Sequence, residues 1–143
     1  MAHCAPDLRF DAGKLDAACR ALGLRLVVLF GSRASGSPIP SPESDLDLAI
    51  LGGPAGWREC IRAFAEVFPD IEPDIVRIGE ADPLFRQEIF GAGVLLWGDP
   101  DLFCEYKAFA YKDFVDSADL RELEAALFQK KMTHIRQTLD ASR

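Results

Sequence analysis

Four short apolar runs, separated by helical or turn-forming segments, constrain the fold of this chain more than any other feature of its sequence. Leu24–Phe30, Asp45–Leu51, Asp74–Ile78 and Val94–Trp97 each have the length and composition of a β-strand. The segments between the runs mostly carry helical periodicity. Strands that alternate with helices are typical of an α/β (α+β) domain, here with a small mixed sheet of about four strands.

Capping and breaking residues predict where the helices begin and end. Asp11 is placed to cap a first helix, and Gly23 to end it. A second helical pattern stops before Pro69, and Pro83 opens a third. Between the first two strands lies the segment 36–44, which contains three prolines and three serines and is therefore predicted to be a loop.

The last third of the chain is predicted to be a helical tail with a break near Asp116 and Ser117. Two apolar stripes run along it: Leu102, Phe103, Tyr106, Phe109, Ala110 and Phe114, then Leu120, Leu123, Leu127, Phe128, Ile135 and Leu139. Such stripes bury against a sheet or a partner helix. The aromatic set Phe103, Tyr106, Phe109, Tyr111 and Phe114 belongs either to the core, which we favour, or to a partner-binding stripe. We expect one domain over residues 1–143, with a core at about 11–99 and the tail at about 100–140.

Composition limits the function. The chain has 143 residues and a formal net charge of −7, so a long nucleic-acid substrate is disfavoured. Its sequence has neither an apolar run that could span a bilayer nor a signal-peptide pattern, which predicts a cytoplasmic protein without a membrane partner. The Cys and His residues are too scattered for a zinc motif, so the cysteines are interpreted as reduced core or surface thiols: Cys4, Cys19, Cys60 and Cys104.

Gly31 and Ser32 follow directly on the first strand. A glycine there allows close approach of a ligand to the backbone, and free N–H groups of a following helical turn, Ser32 to Gly36, suit anionic phosphates. An ordinary strand-to-helix turn explains the same two residues when they are taken alone.

Three aspartates carry the stronger chemical signal. Asp45 and Asp47 are two residues apart on one predicted strand, so their carboxylates point to the same side while Leu46 and Leu48 point into the core. A solvated edge strand would also tolerate this pair. Asp74 begins another strand, and three convergent carboxylates can hold two divalent metal ions about 4 Å apart for in-line phosphoryl displacement.

Together these residues carry a resemblance. The segments Leu29-Phe30-Gly31-Ser32-Arg33-Ala34-Ser35-Gly36 and Ser44-Asp45-Leu46-Asp47-Leu48-Ala49-Ile50 resemble the signature of the DNA polymerase β-like nucleotidyltransferases. They are most similar to the minimal nucleotidyltransferase (MNT) branch, to which Asp74 on a later apolar strand also fits. The resemblance implies a polymerase β-like nucleotidyltransferase core and runs from about Leu15 to Asp99.

The resemblance implies nucleotidyl transfer with two metal ions, Mg²⁺ or alternatively Mn²⁺. Gly31 and Ser32 would hold the β- and γ-phosphates, while Arg33 either adds charge stabilisation or only solvates the loop. Asp45 and Asp47 would bind metal, and Asp74 would bind the second metal or act as base. The family also implies a role: an antitoxin that transfers AMP from ATP to a tyrosine of a cognate HEPN toxin, in a type VII-like toxin–antitoxin pair.

Two departures from the family pattern leave alternatives open. Twelve residues separate Ser32 from Asp45, two more than is usual, and Ser35 replaces a frequent second arginine. A catalytically degenerate antitoxin that acts by binding alone is therefore one alternative. A nucleotidyltransferase acting on a small molecule such as an antibiotic is another, although only a short tail follows the last strand.

Overall fold

The computed structural model of the chain describes residues 8–34 and 46–142. In this part of the chain the strands and helices follow the predicted order. They are α1 (Ala12–Leu22), β1 (Leu24–Phe30), β2 (Leu46–Gly52), α2 (Trp57–Val67), β3 (Pro73–Arg77), α3 (Pro83–Gly91), β4 (Val94–Gly98), α4 (Pro100–Asp116) and α5 (Ala118–Ala141). Short 3₁₀ turns follow β1 and β3 at Gly31–Arg33 and Ile78–Glu80.

The four strands form one sheet in the order β3-β2-β1-β4. β1 lies in the centre and pairs antiparallel with both β2 and β4, whereas β2 pairs parallel with β3 through the crossover helix α2. The sheet is therefore mixed, which confirms the predicted fold class.

Local signals at the ends of α1 and α3 explain their bounds. The Asp11 side chain accepts hydrogen bonds from the backbone N–H groups of Gly13 at 2.8 Å and Lys14 at 3.2 Å, as expected of an N-cap. Gly23 ends α1 with a φ of 68°, a conformation that favours glycine. Pro83 opens α3 behind Asp82, whose carboxylate accepts from the Phe85 N–H at 2.8 Å.

The strand predictions are confirmed to within about one residue. β2 was predicted from Asp45 and is described from Leu46, because Asp45 lies outside the described residues. β3 begins at Pro73 and ends at Arg77 rather than at Ile78, because Ile78 starts the 3₁₀ turn.

Both faces of the sheet are buried. One cluster joins α1 and α2 to the sheet through Leu48, Cys60 and Phe64, and the other joins α3 and α4 through Ala49 and Phe90. Successive residues of β2 therefore serve opposite faces, with Leu46 and Leu48 in the first cluster as predicted. Cys19 and Cys60 are buried free thiols and Cys104 is an exposed one, which confirms their interpretation; Cys4 lies outside the described residues.

The helical tail and its break near Asp116 and Ser117 are confirmed, since α4 ends at Asp116 and α5 begins at Ala118. No described residue of α5 is buried, and its apolar stripe is exposed instead of packing within the chain. The aromatic set of α4 divides: Phe103 and Tyr106 pack on Phe90, whereas Phe109 and Tyr111 are exposed on either side of buried Ala110. None of the described helices is long and apolar enough to cross a membrane.

Candidate active site

The turn after β1 forms the first wall of the candidate site. Gly31–Arg33 make a single 3₁₀ turn, which is closed by the Ala34 N–H donating to the Gly31 carbonyl at 3.1 Å. Ser32 is exposed on this turn and Arg33 is half-buried. The turn thus begins where the sequence predicted it, although the predicted continuation to Gly36 lies outside the described residues.

Gly31 is required at its position for two independent reasons. Its φ is 78°, in the left-handed region that side chains disfavour. A Cβ at this position would overlap the Asp47 carboxylate and would lie 3.2 Å from its Cγ. The glycine therefore lets the turn lie directly against the Asp47 carboxylate.

Two of the three predicted aspartates lie side by side. In the parallel pair of β2 and β3, Asp47 stands opposite Asp74, while Leu46 stands opposite Pro73 and Leu48 opposite Ile75. Neighbouring strands are about 4.8 Å apart, so the two aspartates occupy adjacent positions on one face. Asp47 is half-buried and Asp74 is exposed. The structure thus brings together the Gly31 turn, Asp47 and Asp74.

Asp45, the third predicted carboxylate, lies outside the described residues, as does the Pro/Ser-rich loop. Among residues 8–34 and 46–142, which omit Asp45, there is no group of three or more His, Cys, Asp or Glu residues that could hold a metal ion. The Asp47 and Asp74 pair fits a hard divalent cation by its chemistry, because Mg²⁺ prefers carboxylate oxygens and uses few protein ligands.

An aromatic contact between β1 and α3 lies directly next to the Gly31 turn. The Phe30 ring packs edge-to-face on the Phe85 ring of α3, with 5.7 Å between the ring centroids. Phe30 immediately precedes Gly31 and pairs with Asp47 across β1 and β2. Sequence reasoning did not identify Phe85, since its partner lies far away along the chain and no local pattern indicates the contact.

The family model described as "Polymerase beta, Nucleotidyltransferase" matches residues 16–101, which contain the Gly31 turn and all three aspartates. No curated protein sequence matches the chain significantly.

Solved structures of toxin–antitoxin complexes contain chains with a similar fold. One is a toxin–antitoxin complex with AMP-PNP, with a TM-score of 0.63 and 22% identity over 85% of this chain and 98% of that chain. A second is the tri-AMPylated HEPN toxin of Shewanella oneidensis in complex with its MNT antitoxin, with a TM-score of 0.59 and 20% identity over 85% of this chain and 95% of that chain. A third is an MntA-HepT toxin–antitoxin complex, with a TM-score of 0.58 and 20% identity over 85% and 96%.

These structures show the same fold, and the family match covers more than half of the chain together with the residues that form the candidate site. The chain belongs to the polymerase beta nucleotidyltransferase family.

Proposed function

We propose that this protein transfers AMP from ATP to a hydroxyl of a protein partner, a tyrosine of a cognate HEPN-type toxin, and thereby acts as its antitoxin. The observation that carries the proposal is the position of Asp47 between the Gly31 turn and Asp74. Carboxylates beside a glycine turn can position a polyphosphate and an attacking hydroxyl at one point.

The turn is the proposed site of the triphosphate. Gly31 and Ser32 offer backbone N–H groups and a hydroxyl to the β- and γ-phosphates, as turns at the ends of strands do in other phosphate sites. Arg33 adds a positive charge close to these phosphates. The AMP-PNP in a complex of the same fold supports ATP as the nucleotide, because AMP-PNP is an ATP analogue.

Asp45, Asp47 and Asp74 are the proposed ligands of two Mg²⁺ ions, with Mn²⁺ as the alternative. Bound metal would neutralise the developing charge and lower the pKa of the attacking hydroxyl. Asp47 belongs to this set because it is half-buried next to another carboxylate, which makes a cation partner favourable. Asp74 contributes a solvent-exposed carboxylate.

The proposed transfer is a displacement at phosphorus. The acceptor oxygen attacks the α-phosphorus of ATP, a new oxygen–phosphorus bond forms, and the bond to the β-phosphate breaks to release pyrophosphate. The hydroxyl proton passes to the Asp74 carboxylate or to water. Asp74 is suited to receive it because its side chain is exposed and therefore accessible to an acceptor.

The helical tail supports a protein partner. Large apolar side chains are exposed on α4 and α5, among them Phe109, Tyr111, Leu123, Leu127 and Phe128. An extended apolar surface of this kind is typical of an interface. Chains of the same fold occur in complexes with HEPN toxins, and one such toxin is tri-AMPylated, which supports both the partner and the reaction.

The test is AMP transfer from α-labelled ATP to the co-purified partner in the presence of Mg²⁺. Asp47→Asn keeps the shape of the side chain and removes its charge, so we expect transfer to fall by about 100-fold or more. Asp70→Asn is the matched control, because Asp70 is exposed and lies outside the site. Full transfer by Asp47→Asn would contradict the assigned role.

The same variants test the alternative that the protein neutralises its toxin by binding alone, without AMP transfer. If Asp47→Asn loses transfer and still protects cells from the toxin as well as the unmodified chain does, neutralisation occurs by binding alone. AMP transfer to a candidate antibiotic, detected as a mass shift, would instead support the small-molecule alternative.

A further inference from the structure

A trough of about 470 Å³ runs along the outer edge of β3. Its walls include Trp57 at the start of α2, Val76 and Arg77 of β3, and Phe85 of α3. β3 is the last strand of the sheet and, within the described residues, pairs only with β2. Its outer edge is therefore open to an extended segment of another chain.

The trough adjoins the candidate active site along two paths. Val76 lies two residues after Asp74 on the same face of β3, about 7 Å along the strand. Phe85 packs on Phe30, the residue before Gly31. A group held against Val76 thus lies two strand positions from Asp74.

The lining favours an aromatic ring over a phosphate. Trp57 exposes 60% of its surface, which is unusual for the largest apolar side chain and places an unused indole face beside the trough. Among the described wall residues Arg77 is the one cation, and it directs its guanidinium to the carbonyl oxygens of Gly53 and Ala55, while Glu80 is an acidic wall residue. Val76 and Phe85 are half-buried apolar surface.

We infer that this trough is the acceptor subsite and that it takes a tyrosine side chain presented on an extended peptide segment. The ring lies against Val76 and Phe85, the flanking residues of the segment lie against Trp57, and the hydroxyl points to Asp74. A tyrosine side chain spans most of the spacing of about 7 Å between Val76 and Asp74, and the Asp74 side chain covers the remainder. This inference rests on the proposed transfer of AMP to a protein hydroxyl, in which the tyrosine oxygen bonds to the α-phosphorus, pyrophosphate leaves and Asp74 or water takes the proton.

Trp57 provides the kinetic test, because its exposure allows substitution without loss of the fold. We expect Trp57→Ala to raise the KM for the protein acceptor about tenfold while the Kd for ATP stays unchanged, and Trp57→Phe to restore most of the loss. Arg62→Ala, an exposed position on the same helix outside the trough, should leave both constants unchanged. An unchanged acceptor KM in Trp57→Ala would overturn the inference.

A binding experiment separates this inference from the proposed function. We expect N-acetyl-tyrosinamide, added to the full chain, to shift the indole N–H resonance of Trp57, and N-acetyl-serinamide to leave it in place. The indole of Trp97 is the internal reference, since its N–H donates to Asp16 at 3.0 Å, away from the trough. AMP transfer without a Trp57 shift would overturn the subsite alone, whereas an absence of any AMP transfer by the unmodified chain would overturn the proposed function and the acceptor role with it.

Discussion

Gly31 shows how one residue determines whether the candidate site can form. Its backbone conformation and its contact with Asp47 each exclude a side chain, and both constraints act at the point where the triphosphate is proposed to bind. A substitution there should affect the backbone and the carboxylate together.

We expect Gly31→Ala to weaken ATP binding at least tenfold and to lower the free energy of unfolding by about 1–2 kcal/mol from the left-handed backbone alone. The added methyl also pushes the Asp47 carboxylate away, so the nucleotide effect should exceed the effect on stability. Calorimetric titration with ATP and Mg²⁺, together with urea unfolding, measures the two separately.

Gly79→Ala is the matched control, because a Cβ at Gly79 meets nothing within 4 Å. Its stability and its ATP affinity should stay close to those of the unmodified chain. Equal effects of the two substitutions would show that the close approach of Gly31 to Asp47 has no part in nucleotide binding.

At the scale of elements, local sequence signals predicted the ends of α1 and β1 because a capping residue or a glycine stands at each boundary. Asp11 and Gly23 are readable signals of this kind. The alternation of Leu46, Asp47 and Leu48 likewise predicted the burial of Leu46 and Leu48, although Ala49 on the opposite face is buried as well. The register of the β2–β3 pair, which places Asp47 opposite Asp74, could not be predicted from the sequence. It depends on the length and packing of α2, which connects the two strands.

Packing between residues that are distant along the chain also explains which features the sequence did not predict. Spacing placed Phe103, Tyr106, Phe109 and Tyr111 on one helix, but the face of α4 that meets α3 depends on the packing of distant residues. The contact of Phe30 with Phe85, and with it the wall of the trough, has the same origin. The proximity of Gly31, Asp47 and Asp74 was thus predictable from the sequence, whereas the surfaces around them were not.

The packing of α1 on α2 gives a prediction for the cysteines. Burial raises the pKa of the Cys19 thiol to about 12 and also raises that of Cys60, whereas Cys104 is exposed. We expect iodoacetamide to alkylate Cys104 in the folded chain at pH 8 and to reach Cys19 only after unfolding. Mass mapping of peptides after native and denaturing labelling measures this.

The raised pKa of Cys19 makes the unfolding free energy depend on pH. The unfolded thiol loses its proton near its usual pKa of 9.0, while the folded thiol keeps it up to about 12. Cys19 therefore contributes stability that is fully present below pH 9 and is lost as the pH rises towards 12. The fall in unfolding free energy between pH 8 and pH 10 should be smaller in Cys19→Ala, and an equal fall in both proteins would contradict it.

At the scale of the whole molecule, the chain separates into a part that buries its apolar residues and a part that exposes them. The sheet and the first three helices contain nearly all of the described buried residues, and Ala110 of α4 is the one described tail residue among them. α5 exposes its whole apolar stripe to solvent. The candidate site and the proposed partner surface thus lie on different parts of the chain. Removing most of α5 should therefore leave the candidate site intact.

We therefore expect a chain that ends at Glu122 to keep its fold and its ATP affinity but no longer to bind the toxin. The deletion removes five large exposed apolar side chains and no described buried one: Leu123, Leu127, Phe128, Ile135 and Leu139. Because little apolar burial is lost, Tm should change by only a few degrees. Thermal unfolding, calorimetry with ATP and Mg²⁺, and co-purification with the toxin measure the three properties.

A point substitution tests whether toxin binding requires the apolar stripe itself or only a full-length α5. Leu127→Glu places a charge within the stripe of a full-length α5, where burial against a partner would cost several kcal/mol, so it should abolish co-purification as the deletion does. Thr133→Glu adds the same charge at another exposed position of α5, away from the stripe, and should bind normally. If both variants bind the toxin equally well, the partner contacts some other surface, and the exposed stripe needs a different occupant to explain why none of its large side chains is buried.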